Sequence, residues 1–223
     1  MPLSRVLEPE VMDTPDEARD YDAMDHSHVN RVFVDDLLAT GADLSQGEIL
    51  DLGTGTAQIP IELCRQHADC RVLAVDLSIQ MLELARYNVE VAGFAPRIQL
   101  DHIDAKRLPY ADSRFAVVMS NSIIHHIPEP LAVLQDALRV LAPGGLLFFR
   151  DLLRPDSDAE VRHLVQTYAG NENEHSRKMF DDSLRAALTL DEVRSLVAQL
   201  GYSPDTLRAT SDRHWTWNAT KSA

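Results

Sequence analysis

The sequence predicts an α/β protein: a doubly wound, mostly parallel seven-stranded sheet with helices on both faces, an antiparallel last strand and an N-terminal helical lid. Three observations predict it. From residue 48 onward, short apolar runs rich in β-branched or aromatic residues alternate with helical stretches, the mark of βαβ units and a parallel sheet buried on both faces. ILDLGTGTA at 49–57 sets two glycines between a strand and a helix, where the chain must turn tightly. Two strand-like runs near the end, DTLRATS and RHWTWNA, are separated by little more than Asp212 and suit a hairpin at the sheet edge.

The elements follow in order. Thr14-Pro15-Asp16-Glu17 offers an N-cap, a proline in the first turn and a glutamate three residues after the cap, which opens a first helix. A second starts near Asp25 or Ser27, carries Val29, Val32, Phe33, Leu37 and Leu38 at helical spacing and ends at Gly41. EILDLG, RVLAVD, RIQLDHID, FAVVMSN and GLLFFRD read as strands; AQIPIELCRQHA, SIQMLELARYNVEVA and PLAVLQDALRVLA read as the helices between them. Right-handed crossovers then restrict the topology to a doubly wound sheet. Beyond it SDAEVRHLVQTYAG reads as a helix, NENEHSRK as a polar loop, and Thr189-Leu190-Asp191-Glu192 as a capping box opening a last helix.

A chain of 223 residues fits one such domain over 1–223. Its parts are a lid at 1–44, a ligand-binding half at 45–151, a helical cap insertion at 152–188, and the last helix with the edge hairpin at 189–223. The net charge of −14 repels phosphate backbones, and no basic cluster offsets it, so nucleic acid is not the expected partner. No apolar run approaches the roughly 18 residues of a membrane span, and the N-terminus lacks the apolar region of a signal peptide; a cytoplasmic location is expected. Cys64 and Cys70 allow a disulfide by count, but small buried thiols in a reducing compartment are the preferred reading.

The glycine loop fits two cofactor classes. A dinucleotide fingerprint counted from Gly53 fails, because its sixth residue is Gln58. Asp51 ahead of the glycines gives D-x-G-x-G-x-A. This resembles the first motif of the class I S-adenosylmethionine-dependent methyltransferases, with Ala57 where the family has a third glycine. The resemblance continues through RVLAVDLS, LDHIDAKRLPY, FAVVMSNSIIHHIPEP and LQDALRVLAPGGLLFFRD, in the family's order. It implies S-adenosyl-L-methionine as cofactor, with Tyr21, Asp51, Gly53, Thr54, Gly55, Asp76, Leu77, Asp104, Ala105, Ser120 and Asn121 around it. Asp76, 25 residues after Asp51, would accept from the ribose hydroxyls, Asp104 would accept from the adenine amino group, and Tyr21 would close over the cofactor. Each aspartate has a competing reading as a turn or helix cap.

His125 and His126 stand just beyond the fourth strand, at the sheet edge where ligands of open α/β sheets bind. Adjacent residues of a helical turn point about 100° apart, so at most one should face the cleft, with His125 preferred. They are the candidate catalytic residues, as a general base; a packing role stays open. No diagnostic spacing joins them to His26, His28 or His102 as a metal set, and no metal is expected. The resemblance implies methyl transfer to a small-molecule acceptor bound by YDAMDHSHVN and by the insertion, where Arg150, Asp151, Arg154, Tyr168 and Arg177 are candidates. A non-catalytic binder of the same cofactor and a nucleotide-cofactor oxidoreductase are the competing functions. The acceptor, its accepting atom and the oligomeric state are not legible.

Overall fold

The structure, a computed structural model, describes residues 3–9 and 13–222; Met1, Pro2, residues 10–12 and Ala223, which the sequence assigns to the lid and the tail, lie outside them. Helices α1 (Pro15–Ala23) and α2 (Ser27–Ala39) come first. Strands β1 (Glu48–Leu52), β2 (Arg71–Asp76), β3 (Ile98–His102), β4 (Phe115–Asn121) and β5 (Leu141–Leu152) follow, interleaved with α3 (Gln58–Gln66), α4 (Ile79–Val91) and α5 (Pro130–Val140). Then come α6 (Asp158–Ala169), α7 (Glu174–Ala186), α8 (Leu190–Gln199), β6 (Leu207–Ala209) and β7 (His214–Thr220).

The strands form a seven-stranded sheet in the order β3-β2-β1-β4-β5-β7-β6. β1 pairs in parallel with β2 and with β4, β2 in parallel with β3, and β6 antiparallel with β7. The predicted fold class is therefore the one found. Strand order reverses direction beside β1, which opens a crevice beyond the carboxyl ends of β1 and β4. The hairpin places β7 inside the sheet and leaves the edge to β6, only three residues long. A short edge strand offers little backbone to a stray partner.

By its internal contacts the chain divides into two compact units. The first holds the described residues of Met1–Glu10 with Ser122–Leu131 and Arg150–Trp217; the second holds those of Val11–Asn121, Ala132–Phe149 and Asn218–Ala223. In the second unit Ile49, Val72, Val117 and Met119 of the strands pack against Phe33 of α2 and Ile61 of α3. β1 is buried from Ile49 to Leu52, as continuous apolar strands covered on both faces must be. In the first unit Leu152, Val161, Leu164, Leu184 and Ala187 form a separate core.

Both predicted capping boxes are present, Thr14 with Glu17 and Thr189 with Glu192. The loop predicted at NENEHSRK is a correction: α7 runs through it from Glu174. The inward stripe of α7 starts at Ser176 and continues through Phe180 and Leu184, spaced four apart. The polar majority hides that stripe until its apolar half begins. Asn173 starts the helix, its side-chain oxygen accepting from the Ser176 amide at 2.8 Å. Asn173→Ala is expected to cost about 1 kcal/mol, seen as a fall of about 3 °C in thermal melting.

The thiols of Cys64 and Cys70 are free and buried, 3.6 Å apart. No helix among the described residues is long and apolar enough to cross a membrane.

Candidate functional site

The glycine loop links β1 to α3 with left-handed backbone at Gly53 (φ 69°), Gly55 (φ 54°) and Ala57 (φ 63°). Glycine takes that conformation freely; alanine does so at a cost of about 1–2 kcal/mol. The departure from the third glycine is thus a strained position as well as a bulkier one. Gly53 and Thr54 donate to the Val75 carbonyl, tying the loop to the end of β2.

In the second unit this loop walls a cleft of about 360 Å³, its open mouth included. Asp51, Gly53, Thr54 and Thr56 line one side, with Gln58 and Ile59 of the first turn of α3 and Asn121 at the end of β4. Tyr21, His26 and Asn30 close it from the α1–α2 segment. A side chain on Gly55 would meet the Tyr21 ring at 3.7 Å, so the tyrosine lies directly over the loop. The Thr56 hydroxyl is buried without a hydrogen-bond partner. The first amides of a helix have no partner within it, which gives the Gln58–Ile59 side donor character toward an anionic group.

The cleft is electrostatically negative. Burial raises the Asp51 carboxyl to about 7, with the neighbouring Asp76 charge adding to the rise. Burial, then the charges of Asp76, Asp22 and Asp51, push the Tyr21 phenol up to about 12. Asp76 ends β2. One of its oxygens accepts from the Gly55 amide and the other from the Ser78 amide, both at 2.8 Å. Burial raises its pKa, and those backbone donors hold it down.

The remaining predicted cofactor residues sit as follows. The Leu77 carbonyl accepts from His102 Nε2 at 2.9 Å. Asp104 lies past the end of β3, accepting from the Lys106 amide at 2.9 Å; like Gly55, Asp76 and Leu77, neither it nor Ala105 is among the residues lining the cleft. Ser120 is buried and donates to the Leu52 carbonyl at 2.9 Å, stitching β4 to β1; its neighbour Asn121 is the one that faces the cleft. His26, Asn30, Thr56, Gln58 and Ile59 are additions to the predicted set. YDAMDHSHVN contained the first two, but nothing in its spacing singled them out.

The first unit holds the histidine pair, on a 3₁₀ turn at Ile124–His126. Neither His125 nor His126 is among the residues lining the cleft. His125 Nε2 lies 3.4 Å and His126 Nδ1 3.2 Å from the same Glu8 oxygen. Adjacent side chains converge here because they present different ring nitrogens. His125 Nδ1 pairs with Asp151 at 2.5 Å, and Asp151 also accepts from the Ile124, His125 and Leu152 amides. Burial disfavours charge on His125, yet Asp151 and Glu8 outweigh it and raise its pKa. Burial and the His125 charge drive His126 down to about 3. Burial raises Glu8, with His125 opposing. Arg5 anchors the N-terminal segment, donating to the carbonyls of His125, Ile127, Pro128 and Ala186. His102, which no diagnostic spacing joined to the pair, donates from its ring to the Leu77 carbonyl. Of the acceptor candidates, Arg150 bonds Thr216, Arg154 bonds Glu192, and Tyr168 donates to Asp212.

Together, the sheet order, the strained glycine loop and an acidic cleft at the reversal point define a doubly wound protein with a candidate ligand cleft at the carboxyl end of β1. Residues 49–145 match the family model described as a methyltransferase domain. The chain is 30% identical over 178 residues to 27-O-demethylrifamycin SV methyltransferase of Amycolatopsis mediterranei (strain S699), covering 79% of this chain and 61% of that one. It is 31% identical over 189 residues to malonyl-[acyl-carrier protein] O-methyltransferase of Marinomonas sp. (strain MWYL1), covering 82% and 65%. It spans less than two thirds of the length of either relative. The plantazolicin methyltransferase BpumL in complex with SAH shares the fold at a TM-score of 0.72 and 14% identity, covering 94% of this chain and 91% of that one.

Proposed function

We propose that the protein is an S-adenosylmethionine-dependent methyltransferase acting on a small-molecule acceptor. The observation that carries this reading is the acidic, glycine-walled cleft at the end of β1, in a chain whose residues 49–145 match the methyltransferase family. The residues fit such a cofactor. Asp51 and Asp76 set a negative field suited to a cationic sulfonium nucleoside. Asp76 uses one acceptor site on each oxygen for the loop and keeps another on each for ribose hydroxyls. The buried Thr56 hydroxyl and the first turn of α3 supply polar contacts, and Tyr21 covers the loop. Asp104 and Ala105 keep the adenine assignment by resemblance to the family.

When bound, the cofactor supplies an already activated methyl group. The chain's task is then to hold two reactants in line and to exclude water. In this reading His125 and His126 are not assigned as the base, because the nitrogens free of Asp151 and Pro9 face Glu8. A small acceptor accords with the name of one relative, which acts on 27-O-demethylrifamycin SV. Free thiols at Cys64 and Cys70 support the cytoplasmic reading. The test is incubation with methyl-labelled cofactor and fractionated small-molecule extracts. Label should appear in a low-mass product only with intact protein; label appearing in nucleic acid would contradict the reading.

The Asp51 carboxyl, titrating near 7, gives a second prediction. A cationic ligand favours the ionised form, so cofactor affinity should rise as pH climbs through 7, by about tenfold between pH 6 and 8 as the competent fraction grows. Asp51→Asn should flatten that profile. A titration series by calorimetry checks it.

A further inference from the structure

We propose that Glu8, His125 and His126 form a zinc site that fastens the N-terminal segment onto the 3₁₀ turn. The proposal goes beyond the cofactor reading and does not rest on it. These three side chains present one ligand atom each, all within 4.8 Å of one another. Both nitrogen-to-oxygen separations, 3.4 and 3.2 Å, match the edge of a tetrahedron whose metal–ligand bonds are near 2.05 Å, about 3.3 Å.

The hydrogen bookkeeping points the same way. Asp151 is an acceptor, so His125 carries its proton on Nδ1 and turns the Nε2 lone pair toward Glu8. His126 bonds the Pro9 carbonyl, which only accepts. Its Nδ1 lacks a hydrogen-bond partner, so Nε2 is the donor and the Nδ1 lone pair also faces Glu8. The Glu8 oxygen between them is buried with no hydrogen bond, and the other accepts from Ser183 at 3.2 Å. In the neutral form of His125 three buried lone-pair atoms thus converge with no donor hydrogen among them, an arrangement that one cation relieves in place of the proton that Asp151 and Glu8 favour there. Each ligand also has an outer partner fixing its orientation: Asp151 for His125, Pro9 for His126 and Ser183 for Glu8. Orienting partners of this kind surround metal-bound histidines and carboxylates. Two imidazoles and one carboxylate suit zinc and leave a fourth position for water.

The test uses the full chain, stripped with chelator and titrated with Zn²⁺ by calorimetry, with metal content counted in parallel. One Zn²⁺ per chain is expected, together with a rise in melting temperature on addition. Co²⁺ substitution should give the visible absorption of a tetrahedral site. Glu8→Gln and His126→Ala should each abolish stoichiometric binding, and Asp151→Asn should weaken it about 10–100-fold. Circular dichroism verifies that each variant is folded; Glu8 lies on a terminal segment and its isosteric change keeps the test valid if His126→Ala does not fold. Absence of a stoichiometric site, or equal Zn²⁺ binding by the parent and Glu8→Gln, overturns the proposal.

Discussion

Asp76→Ala is expected to weaken S-adenosylmethionine binding about hundredfold. The carboxylate would hold two ribose hydroxyls, and hydrogen bonds to a charged group contribute roughly 1.5–3 kcal/mol each. It also fixes the loop that shapes the cleft, through the Gly55 and Ser78 amides. The variant leaves both amides without their partner, so stability should fall as well, by about 1–2 kcal/mol because the site is partly open to water. The two effects separate experimentally. Calorimetry on folded variant reads the affinity; thermal melting reads the stability. A lowered melting point with unchanged affinity would leave Asp76 a loop tie and nothing more.

Asp151→Ala carries the largest expected loss of stability. Asp151 is 1% exposed and serves three backbone amides and the His125 ring. Its removal strands buried donors and an imidazole beside Glu8. Breaking a buried, hydrogen-bonded pair in this way costs about 3–5 kcal/mol, on the order of 10 °C in melting temperature for a chain of this size. Asp151→Asn keeps acceptor capacity on one side and should lose less. Faster hydrogen exchange at the Ile124 and His125 amides would localise the damage. A melting point within 1–2 °C of the parent would contradict this account of the turn.

The sequence made the fold legible where the information is local. Thr14 with Glu17 and Thr189 with Glu192 announce helix starts within four residues, and both boxes form. ILDLGTGTA joins strand, turn and helix in one stretch, and the structure bends there at Gly53 and Gly55. α7 escaped notice because its buried positions begin with Ser176, which carries no apolar signal. The cleft was half legible. Asp51, Gly53, Thr54, Asn121 and Tyr21 line it as the family resemblance implied, whereas His26, Asn30 and Thr56 reach it through packing that no periodicity encodes. Glu8 was invisible for a simpler reason. It meets His125 across more than a hundred residues of chain, and Arg5, which holds that segment in place, reads in the sequence as an ordinary surface arginine.

The left-handed Ala57 shows how a departure from a motif can be tolerated. Its methyl group is fully buried in the second unit's core, and that burial offsets part of the backbone cost.

The most direct measurement of the central claim is calorimetric titration of the intact chain with S-adenosylmethionine and with its demethylated product. Saturable binding of one molecule of either per chain is predicted, weakened for both by about hundredfold in Asp76→Ala and made insensitive to pH in Asp51→Asn. No saturable heat with either compound, or binding that both variants retain unaltered, would contradict the assignment of the cleft.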